Sequence, residues 1–387
     1  MKQQEITISF NPRYPSVSDL RRKAKKRIPR FAFEYLDGGC NDDVNLNRNT
    51  EDLQALQLMP YYLRKFKEPI MRTELFGHTY EAPFGIAPIG LQGLIWPNAP
   101  EILAKAALKH NIPFILSTVS SASIERIAEV SEGSAWFQLY HPKSEQMRKD
   151  IIERANSAGM RVLVVLVDVP SFGFRPRDIR NGLAMPPKMN WQNIFQMISK
   201  PTWGIRTLQA GGPSFKTLKP YMPKGLSMAK LGQFMNDTFS GRMDLERIKP
   251  IRDLWKGPLV LKGIVNPQDL EEALSLGIDG IIVSNHGGRQ IDAGESSIRS
   301  LQNLVKTHKG KTHLMMDSGL RSGTDIARSL ACGANFTFLG RPFMYGVGAL
   351  GTKGGDHIIS VLKAQLKQVM EQIGCSETDR FEEFLIR

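Results

Sequence analysis

Short, nearly uninterrupted apolar runs recur along the chain: Phe84 to Pro88, Phe114 to Ser117, Trp136 to Leu139, Val162 to Val167, Leu259 to Lys262, Gly280 to Val283, His313 to Asp317 and Phe336 to Leu339. Apolar runs without alternation suit strands buried on both faces, as in a parallel sheet. Helical-looking stretches lie between most of them. Pro100 to His110 is Ala-rich, and Asp269 to Leu276 and Asp325 to Ala331 are each followed by a glycine, Gly277 and Gly333, the residue that a helix C-terminus favours. Eight strands alternating with helices predict an α/β fold, a closed (β/α)8 barrel behind N-terminal helices. A doubly wound open sheet is the alternative, disfavoured because no G-x-G-x-x-G follows an early strand. Ser18 to Arg30 reads as a solvated basic helix capped by Ser18 and stopped by Pro29.

The rhythm breaks between Val167 and Leu259. Residues from about 180 to 240 read as an insertion in the fourth strand-to-helix loop of a single domain spanning 1–387. No acidic residue occurs between Asp178 and Asp237. Arg180, Lys188, Lys200, Arg206, Lys216, Lys219, Lys224 and Lys230 alternate there with Trp191, Phe195, Trp203, Phe215 and Tyr221. A solvated, partly disordered loop would be poor in aromatics. The pattern favours a surface that docks on an anionic bilayer.

Composition narrows the setting. The formal net charge of +13 favours anionic partners. No nucleic-acid-binding motif is present, so specific nucleic-acid recognition is not expected. Cys40, Cys332 and Cys375 show neither CxxC nor metal-ligand spacing, which predicts free thiols, a reducing, cytoplasmic setting and no metal. No segment approaches the roughly 20 apolar residues of a membrane span. Membrane contact is therefore expected to be peripheral, on the inner face.

The residues with chemistry sit just past the predicted strands. Ser284-Asn-His-Gly-Gly-Arg-Gln290 delivers His286 and Arg289 after the sixth strand, where barrel enzymes place catalytic groups. A histidine there can act as a base near neutral pH, and a guanidinium can clamp a carboxylate. Lys262 ends the fifth strand, a fixed cation able to stabilise a developing anion. Asp317-Ser-Gly-Leu-Arg321-Ser-Gly-Thr-Asp325 and Gly340-Arg341-Pro follow the seventh and eighth strands, the usual phosphate site of barrels.

These motifs, with Tyr35 in Phe33-Glu-Tyr-Leu-Asp-Gly-Gly39 and Gln138 and Tyr140 in Phe-Gln-Leu-Tyr, resemble the FMN-dependent α-hydroxy-acid oxidases and dehydrogenases of the L-lactate dehydrogenase, mandelate dehydrogenase and glycolate oxidase type. The resemblance covers nearly the whole chain except the insertion. It implies FMN as cofactor, a 2-hydroxy acid as substrate and a homotetramer. His286 is then the base, Asp168 its orienting partner, and Arg289, Arg175, Tyr35 and Tyr140 the substrate-binding set. Lys262 lies by the flavin. Pro88, Ile89, Gly90, Ser117 and Gln138 contact the flavin ring, and Ser284, Asp317, Gly319, Arg321, Gly340 and Arg341 hold the ribityl chain and phosphate.

The chain departs from that pattern at several places. Leu166 and Ile89 stand where threonines are common, Phe174 where an arginine is, and Ser318 where a glycine is. Val119 replaces a bulky tryptophan, which suggests a substrate larger than glycolate. Gly90, where many oxidases carry alanine, suggests a dehydrogenase that passes electrons to a membrane quinone. The alternatives are an oxygen-using oxidase, an FMN barrel of maturation or isomerase type, and a non-catalytic binding protein, the last disfavoured by the intact Tyr35, Arg175, His286 and Arg289 set.

Overall fold

The computed structural model describes residues 10–65, 67–183, 190–223, 228–239 and 241–386. Eight parallel strands form the predicted barrel: β1 (Phe84–Ile86), β2 (Ile115–Ser117), β3 (Trp136–Leu139), β4 (Leu163–Leu166), β5 (Leu259–Ile264), β6 (Gly280–Val283), β7 (His313–Met316) and β8 (Phe336–Leu339). Each pairs with the next from β2 to β8, and β8 pairs with β1. A parallel bridge between Ile86 and Phe114, with the Ile86 N–H donating to the Pro113 carbonyl at 2.8 Å, closes the ring.

Alternate side chains divide the core. Ile115, Trp136, Val164, Val260, Ile282, Met315, Phe336 and Phe338 fill the barrel, while their neighbours in sequence pack outward on the helices. A hairpin of Thr73–Leu75 and His78–Tyr80 plugs the N-terminal end, where the Trp136 indole donates to the Tyr80 hydroxyl at 3.1 Å. The mouth at the C-terminal ends of the strands is thus the end available for a site.

The predicted helices are present, with shifted starts. Pro267–Ser275 is capped by Asn266 and Gly323–Ala331 by Ser322, each side chain accepting a first-turn N–H. Gly277 and Gly333 follow them at positive φ, 69° and 93°. The first helix corrects the sequence reading. It runs Val17–Arg27, and its cap is Ser16, because Ser16 and Asp19 form a reciprocal capping box that Ser18 cannot. Nor is it merely solvated. Val17, Leu20 and Ala24 are buried, and the helix packs on Arg341–Leu350, which follows β8. Pro29 ends it as expected and precedes helix Arg30–Asp37.

Between β4 and β5 lie helices Trp191–Ile198, Pro201–Gln209 and Met228–Phe239, then Leu245–Leu254, which leads back into β5. The described parts of the insertion are therefore largely helical, with Asn190 capping the first of these helices. Its aromatics split. Trp203 and Phe215 are buried, and Tyr221 is half-buried with its hydroxyl on Asp150; only Trp191 and Phe195 face out. The expectation that all five mark an outer surface is corrected for the other three. The Trp203 indole donates to the carbonyls of Leu94 and Ile95, at 3.3 and 3.1 Å. Lys188 and Lys224 lie outside the described residues. Among the described residues, no helix is long and apolar enough to cross a membrane.

Candidate active site

The chain past β6 turns sharply. His286, Gly287 and Gly288 all have positive φ (58°, 67° and 71°), a conformation costly for a residue with a Cβ. Glycine is required after the histidine, since a Cβ on Gly288 would lie 2.5 Å from the Leu46 nitrogen. The turn brings His286 Nδ1 to 3.0 Å from Asp168 Oδ1, just past β4. A bulge in β5 makes room for this pair. Gly263 sits there at φ 113°, and a Cβ on it would come within 2.5 Å of the Asp168 Cβ.

Burial pushes the His286 imidazole below its ordinary value, and the opposing pull of Asp168 does not offset it. The ring is neutral at pH 7, with its Nδ1–H toward the carboxylate and Nε2 left to accept a proton. Burial would raise Asp168, but its interactions with His286, whose Nδ1–H it accepts, and with the Lys262 cation outweigh it and hold the carboxyl ionised. Asp168 Oδ2 is buried with no hydrogen-bond partner among the described residues, so the carboxylate keeps capacity for a positive ring.

Lys262, buried in β5, donates to Ser284 Oγ at 2.8 Å and pairs with Asp317 Oδ2 at 3.0 Å. Desolvation works against its charge, yet Asp317 and Asp168 together raise its pKa. Ser318 links two loops. Its hydroxyl donates to Asp317 Oδ1 at 2.8 Å and accepts the Gly287 N–H at 2.9 Å.

Two guanidiniums lack close counter-charges. Arg289 donates to the carbonyls of Tyr35 and Gly38 and lies over the Tyr35 ring, 5.1 Å from its centre. Arg175 is held by the Arg289 carbonyl and by Gln290. The two share one carboxylate, Asp178, at the long distances of 3.9 and 3.7 Å. Burial and the nearby Arg175 push Arg289 down to about 10, and burial keeps Asp178 above the usual carboxylate range. Tyr35 and Tyr140 are raised by burial, so both remain hydrogen-bond donors.

Arg341 donates to the carbonyls of Leu36, Gly287 and Gly38, and burial with the neighbouring Arg321 pushes it down to about 9. Among the described residues it has no ion-pair partner. A buried cation so depressed is one that an anion would stabilise. It stands in the first turn of helix Arg341–Leu350, with Gly340 before it and Arg321 beside it. This donor set fits a phosphate monoester.

One cavity of about 720 Å3 joins these groups. Tyr35, Pro88, Ile89, Gly90, Gln138, Tyr140, Arg175, Lys262, His286, Arg289, Asp317, Gly319, Arg321, Gly340 and Arg341 all line it. Three expected residues stand behind the wall. Asp168 backs His286; Ser284 accepts from Lys262 and from the His286 N–H; Ser117 accepts the Val119 N–H at 3.4 Å. Sequence reasoning missed Asp178, Gln290 and a buried asparagine set. Asn285 Nδ2 donates to Asn45 and Asn49, at 2.7 and 2.8 Å, which fastens helix Val44–Ala55 to the turn that carries His286. Two asparagines four apart in a helix, where they are poor formers, were the available signal.

A closed barrel with an imidazole–carboxylate pair, two guanidiniums that share one distant carboxylate, and a buried arginine at a helix start has the make-up of a cofactor-dependent acid–base enzyme. Comparison with known proteins sharpens this. The model of the family described as FMN-dependent dehydrogenase matches residues 24–387, and the chain belongs to that family; FMN is its cofactor. It is 35% identical over 368 residues to an L-lactate dehydrogenase of Pseudomonas syringae pv. syringae (strain B728a), covering 95% of this chain and 97% of the relative. An L-lactate dehydrogenase of Vibrio parahaemolyticus serotype O3:K6 (strain RIMD 2210633) is 36% identical, with 92% and 94% covered. The solved structure of the monotopic membrane protein (S)-mandelate dehydrogenase superposes with a TM-score of 0.90 at 32% identity, covering 96% of this chain and 98% of that one.

Proposed function

We propose that the chain oxidises an L-2-hydroxy acid to the 2-keto acid and passes the electrons to a membrane quinone. The observation that carries the reading is the meeting, in one cavity, of a neutral, half-buried imidazole, two under-compensated guanidiniums and a phosphate cradle. FMN, held by Lys262, Gln138, Arg321, Gly340 and Arg341, supplies the two-electron acceptor. Arg289 and Arg175 take the substrate carboxylate, in the place that Asp178 serves only from a distance. Tyr35 and Tyr140 donate to the substrate oxygens. His286 Nε2 accepts the proton, and Asp168 stabilises the resulting imidazolium. Lys262 offsets negative charge that develops on the acceptor side.

Most of the remaining cavity wall is apolar, with Asp178, Ser214, Asn236 and Ser318 as the polar exceptions. Leu94, Ile95, Val119, Phe215 and Met235 line it, two of them from the insertion. This favours an acid with a bulky aliphatic or aryl side chain. The insertion also supports a peripheral membrane position. Trp191, Ile194, Phe195 and Ile198, spaced as one helical stripe, are 77, 47, 66 and 71% exposed, and Ile205 and Leu208 on the next helix are also bare.

The test is anaerobic bleaching of the bound flavin by a panel of short, branched and aryl L-2-hydroxy acids, followed by reoxidation with quinone or air. Bleaching by at least one acid and faster reoxidation by quinone are expected. No bleaching by any acid would overturn the reading, and faster reoxidation by air would make the protein an oxidase.

A further inference from the structure

The last turn of helix Val17–Arg27 and the turn joining helices Trp191–Ile198 and Pro201–Gln209 enclose a second cleft of about 340 Å3. Lys23, Lys26, Arg27 and Lys200 line it, with no acidic residue among the described lining. None of the four takes part in an ion pair among the described residues. Lys200 donates to the Lys26 carbonyl at 2.9 Å, which ties the two elements together. Arg27 is held 4.0 Å over the Trp96 ring and donates to the Ala349 carbonyl at 2.9 Å. Helix Pro201–Gln209 begins on the cleft wall with no side-chain cap, which adds partial positive charge.

The cleft adjoins the bare apolar stripe. Ile198 precedes Ser199 on its wall, and Ile205 lies one turn beyond Thr202. A soluble anion would account for the cations but not for the outward apolar side chains. We propose that the cleft receives the phosphate of an anionic glycerophospholipid headgroup while Trp191, Phe195, Ile198 and Leu208 enter the acyl boundary. The inference rests on the peripheral-membrane reading above and adds a discrete headgroup site to it.

The experiment compares sedimentation of the flavin-loaded full chain with vesicles of phosphatidylcholine alone or mixed with phosphatidylglycerol. Each cation at an anionic surface tightens binding roughly fivefold, so K23A/K26A/K200A should lose about a hundredfold of the phosphatidylglycerol-dependent affinity. It should keep neutral-vesicle binding and the rate of flavin bleaching. K249A/K256A/K311A, which removes equal charge elsewhere on the exposed surface, should keep everything. K200Q, which retains the stem, should show a partial loss and guards against misfolding of the triple variant. The inference falls if the triple variant keeps its preference for phosphatidylglycerol, if the control loses as much, or if inorganic phosphate competes at the cleft as well as vesicles do. Absence of wild-type binding to any vesicle would instead reject the membrane reading itself.

Discussion

At the barrel mouth, Asp168, Lys262, His286 and Arg341 are withdrawn from water, each against named partners. On the outer helices of the insertion the arrangement is reversed: Trp191, Phe195, Ile198 and Leu208 stand exposed. Both arrangements are unfavourable taken alone. A buried charge is tolerated only when paired or hydrogen-bonded, and a bare apolar stripe only when something apolar covers it. The mouth resolves its cost internally except at the guanidiniums, where we propose that anions bind. The insertion leaves its cost to a partner. Where a molecule leaves an interaction uncompensated is where its ligands belong.

The sharpest way to break the comparison is His286→Gln. It removes the base and leaves the phosphate cradle intact, so the protein should stay yellow while flavin bleaching slows about 10²–10⁴-fold in stopped flow. Full-speed bleaching would show that the imidazole is not the base. Asp168→Asn should cost of the order of 10²-fold and also move the pH profile. In the wild type the rate should fall only as pH drops through the depressed His286 value, below the ordinary imidazole range of about 6.5. Removing the carboxylate, which raises that value, should shift the acid limb to still lower pH. A limb that stays put would reduce Asp168 to a packing role.

The other two tests address the insertion. Trp203→Ala deletes a buried indole with two hydrogen bonds and should destabilise the fold by about 3–5 kcal/mol in denaturant unfolding. Trp191→Ser, on the preceding helix, should change stability by no more than about 0.5 kcal/mol while weakening vesicle binding. Equal losses from the two would erase the distinction between inner and outer aromatics.

The barrel was legible because doubly buried strands read as uninterrupted apolar runs, and the site because its groups follow those strands directly. Ser284 to Gln290 carries an imidazole, a guanidinium and two turn glycines in seven consecutive residues. What escaped depended on chain crossings. Gly263 looks like any glycine at a strand end until Asp168 is seen packed against it. Asn45 and Asn49 gain meaning only when Asn285 lies between them. The stripe of Trp191, Ile194, Phe195 and Ile198 has the period of a core-facing helix, and periodicity does not say which way a helix faces. Ser18 lost the cap to Ser16 because Asp19 completes the reciprocal pair only with the latter.

The Trp203 indole grips the carbonyls of Leu94 and Ile95, and both of those residues form part of the cavity wall. The same helix bears Ile205 and Leu208 on its outer side. One side chain thus joins the cavity wall directly to the helix that carries part of the bare outer face.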